Sequence, residues 1–168
     1  MKKPEWFERN FQFGIPPGML PFFIERLDGT ITRLEKKLLG ASEDILSFQP
    51  AEKWSIKQHV GHLAEVDEVV VRRIDEIVRG ISPMAPAVFE PRQDYNKQRL
   101  SQVLDYFAKN RMDSIRKYKI LSEEECARTS LHPRLKVMMS PVDLAYFDAE
   151  HDDHHLVKIS EIQLALAD

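Results

Sequence analysis

The sequence predicts an all-α four-helix bundle on three observations. Four long segments carry apolar residues every three or four positions, helix-start signals precede two of them, and no segment alternates apolar and polar residues as a half-buried strand does. Leu20, Ile24, Leu27, Ile31, Leu34 and Leu38 form one apolar stripe, which predicts a helix over about residues 17 to 39. Pro21 is tolerable there only in the first turn, and Gly40 is a natural stop.

A second stripe reads Ile56, Val60, Leu63, Val66 or Asp67, Val70, Ile74 and Ile77; Ser55 and Gln58 stand at capping-box spacing before it, and Gly80 ends it. Residues 81 to 92 contain three prolines and no period, so they read as a loop long enough to roof a site. Leu100, Val103, Leu104, Phe107, Ile115 and Tyr118 predict a third helix over about residues 94 to 120, followed by a short turn at 122 to 126 and a break at His132-Pro133. Ser140, Pro141 and Asp143 supply a capping serine, a first-position proline and a first-turn acid, the start of a fourth helix reaching about Ala167. Short-range reasoning joins these helices as a simple antiparallel bundle, one domain over residues 1–168.

Composition narrows the function classes. With 27 acidic and 24 basic residues in 168 and no run of Lys or Arg, the chain lacks the phosphate-neutralising face of a nucleic-acid binder. The start Met1-Lys2-Lys3-Pro4-Glu5-Trp6 has no apolar signal core, and no later run reaches membrane-spanning length, so the expectation is a cytoplasmic protein without nucleic-acid or membrane partners. Cys126 has no second cysteine to pair with and no evident activating neighbour, which reads as an inert, half-buried thiol.

The informative residues are histidines. Leu144, Phe147, His151, His155, Ile159, Ile162 and Leu166 share one face of the fourth helix, so His151 and His155 interrupt an apolar stripe and should point inward. Imidazoles four apart on a helix can grip one divalent ion, and His62, at the edge of the second stripe, can bring a third ring from across the bundle. The plainer reading is a set of hydrogen-bonded core histidines with no metal, and spacing alone balances the two. His59 is either a rival ligand at i,i+3 from His62 or a flanking group behind the ligands. Asp148 and Asp152 flank the pair and are candidate helpers in orienting rings or moving protons, the plainer reading of an acid on a helix being a solvated one. His154 reads as solvated or at most a neighbour of the site, Arg72-Arg73 and Glu123-Glu124-Glu125 read as solvated, and His132 as a surface loop residue.

Three segments together resemble the DinB/YfiT-like superfamily: Trp54-Ser55-x-x-Gln58-x-x-Gly61-His62-Leu63-Ala64-Glu65, Ser140-Pro141-x-Asp143-Leu144, and His151-Asp-Asp-His-His155-Leu-x-x-Ile159. The likeness spans about residues 17 to 166. It implies an up-down-down-up bundle in place of the alternating one, and a divalent metal, zinc or nickel first among candidates, held by His62, His151 and His155. It also implies a homodimer and, in members of known activity, transfer or isomerisation chemistry dependent on low-molecular-weight thiols. Two features depart from it: His59 stands where an apolar residue is usual, and the 81 to 92 loop matches no substrate-binding pattern.

The expected function is therefore a metal-dependent enzyme in which metal-bound water or thiolate is the nucleophile, most simply a thiol S-transferase acting on a small electrophile. A metal-dependent hydrolase and a non-catalytic, metal- or small-ligand-binding stress-response protein are the alternatives.

Overall fold

Helix ends follow the capping chemistry of the sequence. The computed structural model describes residues 3–51 and 53–166. Its helices are α1 (Leu20–Leu38), α2 (Glu43–Ser47), α3 (Ile56–Val78), α4 (Leu100–Lys119), α5 (Glu123–Ala127) and α6 (Pro141–Ala165), with a hairpin of β1 (Ser130–Leu131) and β2 (Met138–Met139) before α6. Ser55 and Gln58 close the expected capping box on α3, and Ser140 and Asp143 close another on α6. The predicted end of the last helix near Ala167 lies outside the described residues.

The third predicted helix begins later than its periodicity suggested, at Leu100 instead of about residue 94. Residues 95 to 97 form a separate 3-10 turn because Tyr95 is drawn inward. Its hydroxyl donates to Glu65 at 2.6 Å, and its ring lies across α3 at Gly61, where a Cβ would overlap it. The α2 turn and the two-residue strands escaped prediction because neither is long enough to show a period.

Side-chain bonds fix the directions of the four long helices. Asn110 donates to the Ala64 carbonyl, Arg111 and Ser114 bond Asp67, and Lys117 pairs with Asp75, so contacts advance together and α3 runs parallel to α4. Arg26, Thr30 and Arg33 bond residues 152 and 153, and Lys37 bonds Ser160, so α1 runs parallel to α6. His59 meets His155 while His62 meets His151, which makes α3 and α6 antiparallel. Around the bundle the order is α1, α4, α3, α6, and the direction is up-down-down-up as the resemblance implied, not simple alternation. No helix among the described residues is long and apolar enough to cross a membrane.

Two apolar clusters fill the ends of the bundle. One gathers Leu27, Val70, Ile74, Ile77, Tyr118, Val142 and Ala145, and the other gathers Leu34, Leu38, Val60, Leu63, Phe107, Leu156 and Ile159. Between them each long helix contributes polar residues to a buried layer: Thr30, Asp67, Arg111 with Ser114, and Asp152. Arg111, 1% exposed, bonds Asp67 through Nε at 2.9 Å and Asp152 through both terminal nitrogens at 2.6 and 2.9 Å. Burial opposes the guanidinium's charge, but Asp152 and Asp67 outweigh it and hold it charged. Asp67 is pushed up to about 6 by burial, with Arg111 pulling the other way.

Removing the cation would leave two acids buried together. Arg111→Met should lower unfolding free energy by about 3–5 kcal/mol, read as a lower urea midpoint at unchanged slope. A loss below about 1 kcal/mol would show that the layer is not a structural anchor.

Candidate metal centre

The polar layer sets the rotation of α6. With Asp152 turned to Arg111 on α4 and Thr30 on α1, His151 and His155 are turned toward α3, where the N-terminal turns present His59 and His62. His151 Nε2 lies 3.4 Å from His62 Nε2 and 3.0 Å from His155 Nε2. A neutral imidazole has one N–H and one lone pair, so a lone His151 cannot satisfy both neighbours with one hydrogen. A cation among the three would take one lone pair from each ring. Tetrahedral coordination at about 2.0–2.1 Å puts neighbouring ligand nitrogens about 3.3 Å apart, close to the spacing here. One nitrogen from each of His62, His151 and His155 lies within 4.8 Å of the others, so the donor set fits a divalent ion.

The fourth histidine orients the third. His59 Nδ1 is 2.7 Å from His155 Nδ1, on the side of the ring away from His151. Were the His155 Nε2 lone pair turned to a cation, its hydrogen would sit on Nδ1 and be donated to His59, which lies on the far side of that ring from His151. Trp54 walls the same side, its ring stacked 6.0 Å from His155 and tilted 4.7 Å from His62. Among the described residues His62 Nδ1 is buried and makes no hydrogen bond of normal geometry, the Phe89 backbone being its polar neighbour.

Burial, before any neighbouring charge, keeps these rings uncharged. His59 is pulled down to about 3 and His62 to about 4, with the Phe89 backbone opposing the shift at His62; His151 and His155 fall well below the usual imidazole range. Neutral rings are the form that offers lone pairs to a metal.

The cluster lies on the wall of a cavity of about 380 Å³. Phe89 and Glu90 of the predicted roofing loop line it, as do Trp6 and Phe7, which sequence reasoning did not single out. Asp143 ties this N-terminal segment down: its carboxylate caps α6 and also accepts the backbone N–H groups of Gly14 and Ile15 at 2.8 and 3.0 Å. Trp6 then packs within 5.1 Å of the His151 ring and 5.0 Å of Phe147. The crowding of Trp6, Phe7, Phe11 and Phe13 into eight positions was the available signal.

Expectations for Asp152, His132 and Arg73 are corrected. Asp152 belongs to the ion layer and, among the described residues, makes no hydrogen bond to a histidine. Asp148 is buried and lines the cavity, its carboxylate 3.1 Å from the Tyr118 hydroxyl, and burial pushes it up to about 8, with Asp67 adding to the shift. His154 is half-buried under Trp6 and lines the cavity, the second of the two places its face allowed. His132 is 4% exposed, because its Nδ1 accepts the backbone N–H groups of Arg134 and Leu135 at 3.3 and 3.1 Å and turns the ring inward. Arg73 is buried, whereas Arg72 is exposed and bonded to the Pro86 carbonyl. Cys126 is buried, with its thiol shifted up by burial and by Glu125 and Glu123.

Residues 26–159 match the DinB superfamily. The chain belongs to that superfamily. Its fold is similar to that of YfiT from Bacillus subtilis, described as a probable metal-dependent hydrolase with an unusual four-helix bundle topology. The two share 16% identity at a TM-score of 0.82, over 95% of this chain and 94% of the other. No curated protein matches the chain. At that identity the structural likeness carries the topology, and the chemistry has to be argued from the residues of this superfamily member itself.

His132 provides a pH signature. Burial, with the charges of Arg73 and Arg134, lowers it from the ordinary 6.5 to about 4, so between those values the unfolded chain binds a proton that the native ring refuses. Its contribution is complete above pH 6.5 and is lost as pH falls toward 4. His132→Asn, which keeps an acceptor near Nδ1 but cannot titrate, should flatten the stability-pH slope by up to about one proton in that window, measured by urea unfolding with chelator present. Parallel slopes for the two proteins would contradict the assignment.

Proposed function

We propose that this protein is a divalent-metal-dependent hydrolase of a small molecule, with His62, His151 and His155 as metal ligands. The observation that carries the reading is the convergence of three neutral imidazole nitrogens, that of His151 lying 3.4 and 3.0 Å from those of His62 and His155, on the wall of a cavity large enough for one small ligand. Three neutral ligands leave a cation its full charge and room for a further partner, the arrangement of catalytic sites more than of closed structural ones. Zinc and nickel both suit an all-imidazole set. Bound there, such an ion supplies the positive charge that acidifies water and polarises a scissile carbonyl or phosphoryl group.

The chain's own residues do the rest. His59 holds the His155 ring through Nδ1, while Trp54 and Trp6 keep bulk water from two sides of the cluster. Asp148 lines the same cavity and, held largely protonated at neutral pH by burial, has a proton to give to a leaving group. Hydrolysis is favoured over thiol S-transfer by the room available. A volume of about 380 Å³, near the lower end for ligand pockets, suits one small substrate with water better than an electrophile and a thiol side by side.

Zinc titration of chelator-treated protein should give one ion per chain and a raised melting temperature. His155→Ala should abolish both, and His59→Phe should weaken the affinity about 10–100-fold. Zinc- and nickel-loaded protein assayed on esters, amides and phosphoesters should turn over at least one class, with activity lost in His155→Ala. Turnover only when glutathione or cysteine is added would replace hydrolysis by thiol transfer. Metal binding with no turnover above the His155→Ala background would leave a metal-binding protein and remove the enzyme.

A further inference from the structure

One stripe of α3 floors the cavity. His62, Val66, Val69, Val70 and Arg73 all line it, and eleven residues of α-helix bring Arg73 back to within about 20° of the His62 face, some 16 Å further along the axis. The cavity therefore has an imidazole cluster at one end, an apolar floor, and a guanidinium toward the other.

That guanidinium has no bonded counter-charge: Asp148 and Glu76 are near enough to favour its charge, but neither bonds it. Arg73 is 6% exposed, its Nε has no hydrogen-bond partner, and among the described residues it makes neither an ion pair nor a side-chain hydrogen bond. Arg111 shows how this fold treats a structural buried arginine, with an aspartate on each side. The acids lining the cavity do not fill that role for Arg73: Asp148 is engaged by Tyr118, and Glu90 is exposed. A second unspent donor lies in the same wall. Because His132 Nδ1 accepts two backbone N–H groups, its hydrogen sits on Nε2, and that N–H meets no acceptor among the described residues. Phe89 closes the wall, with its ring 6.0 Å from the guanidinium carbon. A buried cation kept without a partner is costly, and a planar anion arriving with the substrate would remove that cost through paired charge-assisted bonds.

We propose that Arg73, assisted by the Nε2–H of His132, is a carboxylate-binding site, and that the natural ligand is a small organic acid whose apolar body lies along Val66, Val69 and Val70. The acid then extends away from Arg73 toward His62, His151 and His155. Which of its bonds reacts rests on the metal-dependent reading above; recognition of its carboxylate does not.

Phenylacetate and 4-phenylbutyrate, each against its primary amide, test this by calorimetry at neutral pH on chelator-treated and on zinc-loaded protein. In the metal-free protein at least one acid should bind about tenfold or more tighter than its amide, as expected for a hydrogen-bonded charge pair. Arg73→Met should abolish that preference, Arg73→Lys should keep part of it, and His155→Ala should leave it intact. No preference in the metal-free wild type, or one that persists in Arg73→Met, overturns the proposal. A preference present only with zinc places the anion on the metal, and also overturns it while sustaining the metal centre. Arg73-dependent acid binding by a protein that takes up no zinc would sustain the subsite and remove the hydrolase.

Discussion

The rest of the molecule is organised around Arg111. Its guanidinium joins Asp67 of α3 to Asp152 of α6, and Thr30 of α1 bonds the same Asp152, so one buried layer ties all four long helices together. Apolar packing is tolerant of small slides and rotations, whereas a bidentate charge pair is not. Asp152 directly follows His151, and Asp67 stands a little over one helical turn beyond His62. Fixing those two acids fixes the imidazoles beside them, so the layer that carries no chemistry determines where the chemistry can occur.

The candidate centre shows the same division between holding and acting. Rings that contact one another at Nε2 are each steadied elsewhere: His155 through His59, His151 by Trp6, and His62 beside Trp54. The N-terminal segment reaches the cavity because Asp143 accepts from Gly14 and Ile15 while also capping α6. One carboxylate thus starts the helix that carries His151 and His155 and anchors the strap bearing Trp6. Preorganisation here comes from groups that do not touch the cluster's inner nitrogens.

Much of this was legible in the sequence. Long apolar periods located four helices, capping residues placed the starts of α3 and α6 to the residue, and face arithmetic turned His151 and His155 inward. Topology was not legible from periodicity, because a helix's pattern says which face is buried and not which neighbour buries it; the family resemblance supplied it. Polar residues were read outward by default, and Asp152, Arg73 and His132 break that default for three different reasons: an ion layer, a cavity wall and a pair of backbone donors. The partners of Asp152 lie 41 and 122 residues away, beyond any local rule, whereas the donors to His132 are only two and three residues on but in a loop with no period to show which way the ring turns.

The order of docking has a consequence for how the centre comes into being. Successive long helices are neighbours only at α3 and α4; α1 lies diagonal to α3, and α4 lies diagonal to α6. Two of the three converging rings belong to α6, the last of the four long helices in chain order. During synthesis the first three long helices therefore surround an unfilled groove, and the imidazole cluster exists only after α6 has been released and inserted between α1 and α3. A nascent chain could not gather these three rings around an ion early, so any loading there waits on the docking of α6.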